Sequence, residues 1–221
     1  MSPALDFADV RAPVHGDALG GPWTFQVERG SWTALAAAPS VADAVAGLSV
    51  GTVAPTGGTV RVLGEEPSAL SRFQRLALLR RMGVAFQREG LVSNLPLEEN
   101  LVVPLVFGSG VYPAEARSRA REAMAELGLT PYAGRRPGAL SRETRIVGAL
   151  VRAALRGPEL LILEHLTSGL PETLARGVLT WCRQRCETIV MLVPGPSALL
   201  DGLVDGWLPP LKGPKEDVPE A

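Results

Sequence analysis

The chain has 221 residues, 46% of them hydrophobic and 20% charged, which suits one well-buried α/β domain. A net charge of −1 and an aromatic content of 5% exclude the basic field and the stacking platforms of a nucleic-acid binder. No stretch approaches the ~20 apolar residues of a membrane span, and the start MSPALDFADV lacks the basic and apolar regions of a signal peptide, so a cytoplasmic protein is expected.

Leu5 to Val10 and Trp23 to Val27 alternate apolar and polar residues, as half-buried strands do. Ser31 to Ala38 reads as a buried strand running into a loop, and Val41 to Val50 as a short helix. The turn Pro55 to Gly58 leads into the strand TVRVLGE. Leu70 to Arg81 is an amphipathic helix and Met82 to Gln87 a short strand. Pro113 to Leu127 is helical, with Pro at its start and Gly128 after its end.

Ser141 to Leu155 has apolar residues at helical spacing, with Arg145, Arg152 and Arg156 among them. The continuous apolar run Leu160 to Leu163 predicts a strand covered on both faces. Leu170 to Cys186 is helical and Thr188 to Val193 a second buried strand. Alternating strands and helices predict a parallel sheet in an α/β fold. From Leu208 the chain carries Pro, Lys, Glu and Asp and reads as a flexible tail. Cys182 and Cys186 share one helix face without further ligands nearby, so no metal site is expected.

In order, these segments resemble the nucleotide-binding domain of an ABC transporter. Ala54 to Glu65 resembles the turn and strand after the phosphate-loop helix, and Arg80 to Leu105 the Q-loop region, with Gln87 on its glutamine. GALSRETRIVGALVRAALRGPELLILEH is similar to the signature-to-Walker-B block without a gap; TSGLP resembles the D-loop and TIVMLVPG the strand before the switch histidine. The resemblance implies a P-loop NTPase-like ABC ATPase fold. Its core sheet is mostly parallel, with an antiparallel N-terminal β subdomain and a helical subdomain at about 89–155. The domain spans 1–207 and the tail 208–221. The Q-loop segment resembles most the bacterial lipid-trafficking cassettes of the outer-membrane lipid-asymmetry type.

The positions that carry the family's chemistry are changed. A phosphate loop needs glycines, successive amides and a lysine. Here the matching stretch is Ala36 to Gly47, where Ala38, Val41 and Asp43 replace glycines, Ala44 the lysine and Val45 the Mg²⁺-holding Ser/Thr. Asp43 is the only charged residue from Ser31 to Val60, and no lysine precedes Lys212, so no register places a cation in the loop. An aspartate beside a triphosphate costs a few kcal/mol at an effective dielectric of ~20.

Glu164 stands at the Walker B aspartate and His165 at the catalytic glutamate. Ser141 is kept in the signature, whereas Arg142 and Glu143 replace glycines. Pro171 replaces the D-loop aspartate and Pro194 the switch histidine, and no aromatic residue stands between Ala12 and Gly16, where the family stacks adenine. Phosphoryl transfer depends on positioning and charge. The expectation is therefore no bound cofactor, neither ATP nor Mg²⁺, and no catalytic residues.

What the resemblance leaves is a structural or regulatory subunit on the inner face of the membrane, paired with a permease through Phe86, Gln87, Arg88 and Leu91. It would form a homodimer or pair with a second ABC subunit. Two alternatives stand beside it: an ATPase with His165 as base and a cation supplied by a partner, and a soluble interaction module without a membrane partner.

Overall fold

The computed structural model describes residues 2–15, 18–87, 90–166 and 169–213. Two sheets organise it. Strands β1 (Leu5–His15), β2 (Ala18–Val27) and β4 (Gly57–Val62) form an antiparallel sheet in the order β2-β1-β4. Strands β3 (Trp32–Ala37), β5 (Met82–Ala85), β6 (Leu160–Glu164), β7 (Thr188–Val193) and β8 (Gly206–Leu211) form a sheet in the order β5-β6-β7-β3-β8, with every pairing parallel. The α/β architecture, parallel core and antiparallel subdomain are as the sequence implies.

Strand alternation divides the core in two. Leu161 and Leu163 of β6, with Ile189, Met191 and Val193 of β7, face the helices α3 (Leu97–Val103), α4 (Pro113–Glu126), α5 (Arg142–Ala154) and α6 (Glu172–Arg183). Leu160, Ile162, Val190 and Leu192 face the other way, onto α1 (Pro39–Val50) and the antiparallel sheet. Helix α1 is buried over most of its length because it lies between two sheets: Val41, Ala42 and Ala44 to Val50 are all buried, and Asp43 is exposed.

Three differences from the sequence reading have physical causes. Helix α1 begins at Pro39 rather than Val41, since proline is preorganised for the first helical position. The stretch after Leu97 forms α3 and continues as a π-helical turn, Pro104–Gly108, so a helix is present where none was predicted. The tail does not begin at Leu208: β8 runs to Leu211 and pairs with β3, and the Trp23 indole donates to the Lys212 carbonyl at 2.9 Å. Pro209 and Pro210 are tolerated because β8 is an edge strand. Residues 214–221 lie outside the described residues.

Helix α2 (Arg72–Arg80) is held at its start by a capping box between Ser71 and Gln74. Both cysteines are free and buried; burial pushes the Cys182 thiol well up and Cys186 up to about 12. Among the described residues no helix is long and apolar enough to cross a membrane.

Glu159 joins the two sheets. It accepts from Arg81 (2.6 and 2.8 Å) at the start of β5 and from Arg29 (3.1 Å) in the β2–β3 turn. The Arg81 hydrogen bond first, with Arg29 adding to it, lowers its pKa from 4.5 to about 2. A depressed carboxylate contributes stability that is fully present above its unfolded value and is lost as pH falls toward the folded one. Partial exposure limits each pair to about 0–1 kcal/mol. Glu159→Gln should therefore lower the urea midpoint at pH 7, with the difference from wild type closing between pH 4.5 and about 2. A gap that persists unchanged at the acid end would refute this linkage.

Gly83 of β5 has no room for a side chain, because a Cβ there would stand 2.2 Å from the Ala153 carbonyl of α5. Gly83→Ala should destabilise the fold by about 1–3 kcal/mol, measured as a drop in urea midpoint at constant slope.

Candidate functional site

The site forms at the C-terminal edge of the parallel sheet, where β3, β5 and β6 end. The step from β3 to α1 decides its character. Strand β3 stops at Ala37, Ala38 is extended (φ −62°, ψ 155°), and α1 starts at Pro39. One residue stands where a phosphate loop would need several successive amides, and Pro39 removes a further N–H.

The sequence reading matched Ala36 to Gly47 to a phosphate loop and placed a helix from Val41; the helix starts two residues earlier, at Pro39. Only Ala38 lies between the elements; Val41, Asp43, Ala44 and Val45 are inside the helix. Val41 and Val45 are fully buried, and Ala44 is 4% exposed in the helix packed between the sheets. The chain Pro-Ser-Val-Ala-Asp-Ala-Val-Ala contains no glycine to open the backbone, so it winds as helix from its first proline.

Above the start of α1 is a cavity of about 660 Å³, lined by Pro39, Ser40 and Asp43 on one side and by Phe86, Gln87, Gly90 and Glu164 on the other. Its size is ample for a small-molecule ligand. The charged residues among its described lining, Asp43 and Glu164, are both acidic, the wrong sign for a phosphate. Glu164, 2% exposed, accepts from the Gln87 backbone amide at 3.4 Å. Burial raises its pKa, the Gln87 amide opposes this, and the Asp43 charge raises it further.

His165 is adjacent in sequence and is not among the residues that line the cavity. Its backbone adopts φ 50°, its N–H donates to the Leu192 carbonyl at 2.9 Å, and Nε2 lies 3.1 Å from the Ala37 carbonyl. A carbonyl only accepts, so Nε2 carries the proton in this contact. Burial pushes the imidazole pKa down, which favours the neutral ring; the Ala37 contact acts in the opposite direction. The side chain is 5% exposed and faces the end of β3.

The signature positions form a separate cluster at the start of α5. Ser141 is its N-cap, and Oγ accepts from the Thr144 amide at 3.2 Å. The Glu143 carboxylate is held below its ordinary range by its own backbone N–H, with the Ser141 hydroxyl second. The Thr144 amide of the first turn is thus engaged within the chain. Arg142 lies against Gly169 on the loop after β6, where a Cβ on the glycine would come 2.4 Å from Nη1.

Of the remaining positions, Pro171 precedes α6 as its N-cap, and Pro194 is exposed beyond β7. The candidate interface residues separate: Phe86 and Gln87 line the cavity, whereas Leu91 packs inward toward Gly148. Arg88, and Gly16 in the region expected to receive adenine, lie outside the described residues, as do Thr167 and Ser168 of the D-loop stretch. Ser40 and Gly90 belong to the cavity although the sequence reading did not select them. Proline at the helix start was the available signal for Ser40.

The comparisons agree with this architecture. The family profile described as "ABC transporter" matches residues 45–168, more than half of the chain, and begins just beyond Ala44. The macrolide export ATP-binding/permease protein MacB of Bradyrhizobium diazoefficiens is 32% identical over 163 residues, which cover 67% of this chain and 25% of that protein. The methionine import ATP-binding protein MetN 2 of Pseudomonas aeruginosa is 32% identical over 122 residues, covering 55% and 36%. The chain thus spans between a quarter and about a third of the length of these relatives.

Among solved structures, an ATP-binding subunit of an ABC transporter superposes with a TM-score of 0.78 at 18% identity, over 94% of this chain and 85% of the other. A dimeric ATP-binding cassette in a post-hydrolysis state with ADP and Pi gives 0.76 at 18%, over 86% and 88%. At such identities they establish the fold alone. With the profile match across α1, the Q-loop stretch, α5 and β6, the chain belongs to the ABC transporter family, as an ATP-binding-cassette domain.

Proposed function

We propose that this cassette neither binds nor hydrolyses ATP and acts as a structural or regulatory partner of a membrane permease on the cytoplasmic face. The observation that carries this reading is the single-residue connection at Ala38 between β3 and α1. Without a loop there is no ring of amides, and without a cation nothing neutralises the β and γ phosphates. Asp43 and Glu164 add repulsion in the same cavity.

Both halves of a composite site are affected: the phosphate side lacks its loop, and the signature side spends Ser141 and Glu143 on its own helix start. A partner cassette, whether a second copy or a second ABC subunit, would therefore gain no phosphate contacts from this one. The ATPase alternative with His165 as base has less support, because the imidazole contacts Ala37 and is not among the residues that line the cavity. A soluble module without a permease would be recovered as a monomer free of membranes.

Cargo belongs to the permease in this reading. The lipid assignment rests on the 80–105 stretch, while the relatives are named for macrolide export and methionine import. Co-purification with a multispanning permease, with its bound cargo identified by mass spectrometry, decides among them.

Calorimetry with Mg-ATP should show no binding in the micromolar range; micromolar affinity would sink the proposal, and turnover lost in His165→Ala would install the ATPase reading. Restoring the lysine should not restore the site. Ala44 is 4% exposed within α1, so Ala44→Lys should lower stability by burying a charge and leave Mg-ATP binding absent. A stable Ala44→Lys protein that binds ATP would show that the loop can re-form.

A further inference from the structure

Glu164 ends β6 beside the cavity above α1, 2% exposed and among its lining residues. Its one hydrogen bond among the described residues comes from the Gln87 amide to Oε2 at 3.4 Å, longer than the usual range of about 2.7–3.2 Å. No donor among the described residues reaches Oε1. An ionised carboxylate offers about four acceptor positions, and burying one without partners is costly. The side chain that borders the cavity most deeply enclosed thus has acceptor capacity to spare.

A second carboxylate borders the same space. Asp43 is exposed on α1, and its charge adds to burial in pushing the Glu164 carboxyl above its ordinary range. No cation stands among the described lining residues. An anion would meet two like charges, and the helix start has little to offer it: Pro39 has no N–H, and the Val41 and Ala42 amides are bonded to the Ala38 carbonyl.

A metal ion is poorly served as well. Among the described residues no group of three or more His, Cys, Asp or Glu could hold one. Magnesium held by one or two carboxylates takes further ligands from substrate phosphates, which this cavity repels. An organic ammonium brings three N–H donors of its own and an apolar stem. The half-buried Phe86 ring offers a wall for that stem, and the Ser40 hydroxyl and Gln87 carboxamide add uncharged polar contacts. The volume of about 660 Å³ suits an organic ligand.

We infer that this cavity binds a small aliphatic diamine as its diammonium ion, one ammonium donating to Glu164, the other to Asp43, and the methylenes lying against Phe86. Two carboxylates on separate elements, α1 and β6, favour two linked cations over one. The inference goes beyond the inactive-cassette reading, because it gives the cavity a ligand of its own and requires no permease.

The test is calorimetric titration of the full chain with diaminobutane, butylamine or magnesium chloride. Diaminobutane should bind saturably and more weakly as salt rises. Butylamine, with a single ammonium, should bind at least about tenfold more weakly, and magnesium should not compete. Asp43→Asn alters an exposed side chain, so circular dichroism should show the fold intact, and diaminobutane affinity should fall at least about tenfold. Glu164→Gln should lose binding; should its burial cost the fold, Asp43→Asn still decides. No saturable binding at millimolar diaminobutane, equal affinity for butylamine, or unchanged binding in Asp43→Asn overturns the inference. So does magnesium that displaces the diamine, which would assign the two carboxylates to a metal. A chain silent toward both diaminobutane and Mg-ATP loses this ligand and keeps the reading of an inactive cassette; one that binds Mg-ATP and no diamine loses both.

Discussion

The burial of α1 between two sheets is the constraint on which the rest of the structure depends. Its N-terminus is fixed directly to β3 through Ala38, and nearly every residue from Val41 to Val50 is enclosed. A helix held on all sides transmits its position to both cores: β6 and β7 pack on it from one side and β1 and β4 from the other. The same compact step removes the backbone that would wrap an anion. At this helix start Pro39 has no N–H, and the Val41 and Ala42 amides are bonded to the Ala38 carbonyl.

Charge then sharpens what geometry began. The space above α1 has the volume of a ligand pocket, so exclusion by size is not the issue. Two carboxylates face it, and one of them, Glu164, is nearly closed off from water. Nearby groups that could have served an anion are turned to other uses. The His165 ring is bound to Ala37, and Ser141 and Glu143 satisfy the first turn of α5.

The positive groups have gathered on another face. Arg156, just past α5, reaches the carbonyls of Leu79 and Met82 at the end of α2, and Arg152 reaches the Gly90 carbonyl. Carbonyl contacts orient guanidinium groups but leave their net charge uncompensated. Carboxylates line the cavity while half-buried arginines stand at the end of α5, in a chain whose formal charge is only −1.

Hydrophobic periodicity made most of the fold legible. The runs Leu160 to Leu163 and Thr188 to Val193 are continuous because both faces of a parallel sheet are covered, and α5 is bounded by its own Ser141 cap. The lack of a lysine or arginine between Ser31 and Val60 was legible too, since it needs no coordinates. Short-range patterns could not show β8, because Pro209 and Pro210 suit an edge strand only once β3 is known to lie beside it. Nor could they show that Asp43 and Glu164 share a cavity, that His165 turns toward Ala37, or that Arg156 reaches the carbonyls at the end of α2. The sequence by itself determined the family frame, the strand and helix order and the absence of a loop cation. Which surviving side chains face one another was decided by the tertiary structure, because the contacts that orient them join residues brought together only when the sheets and helices pack.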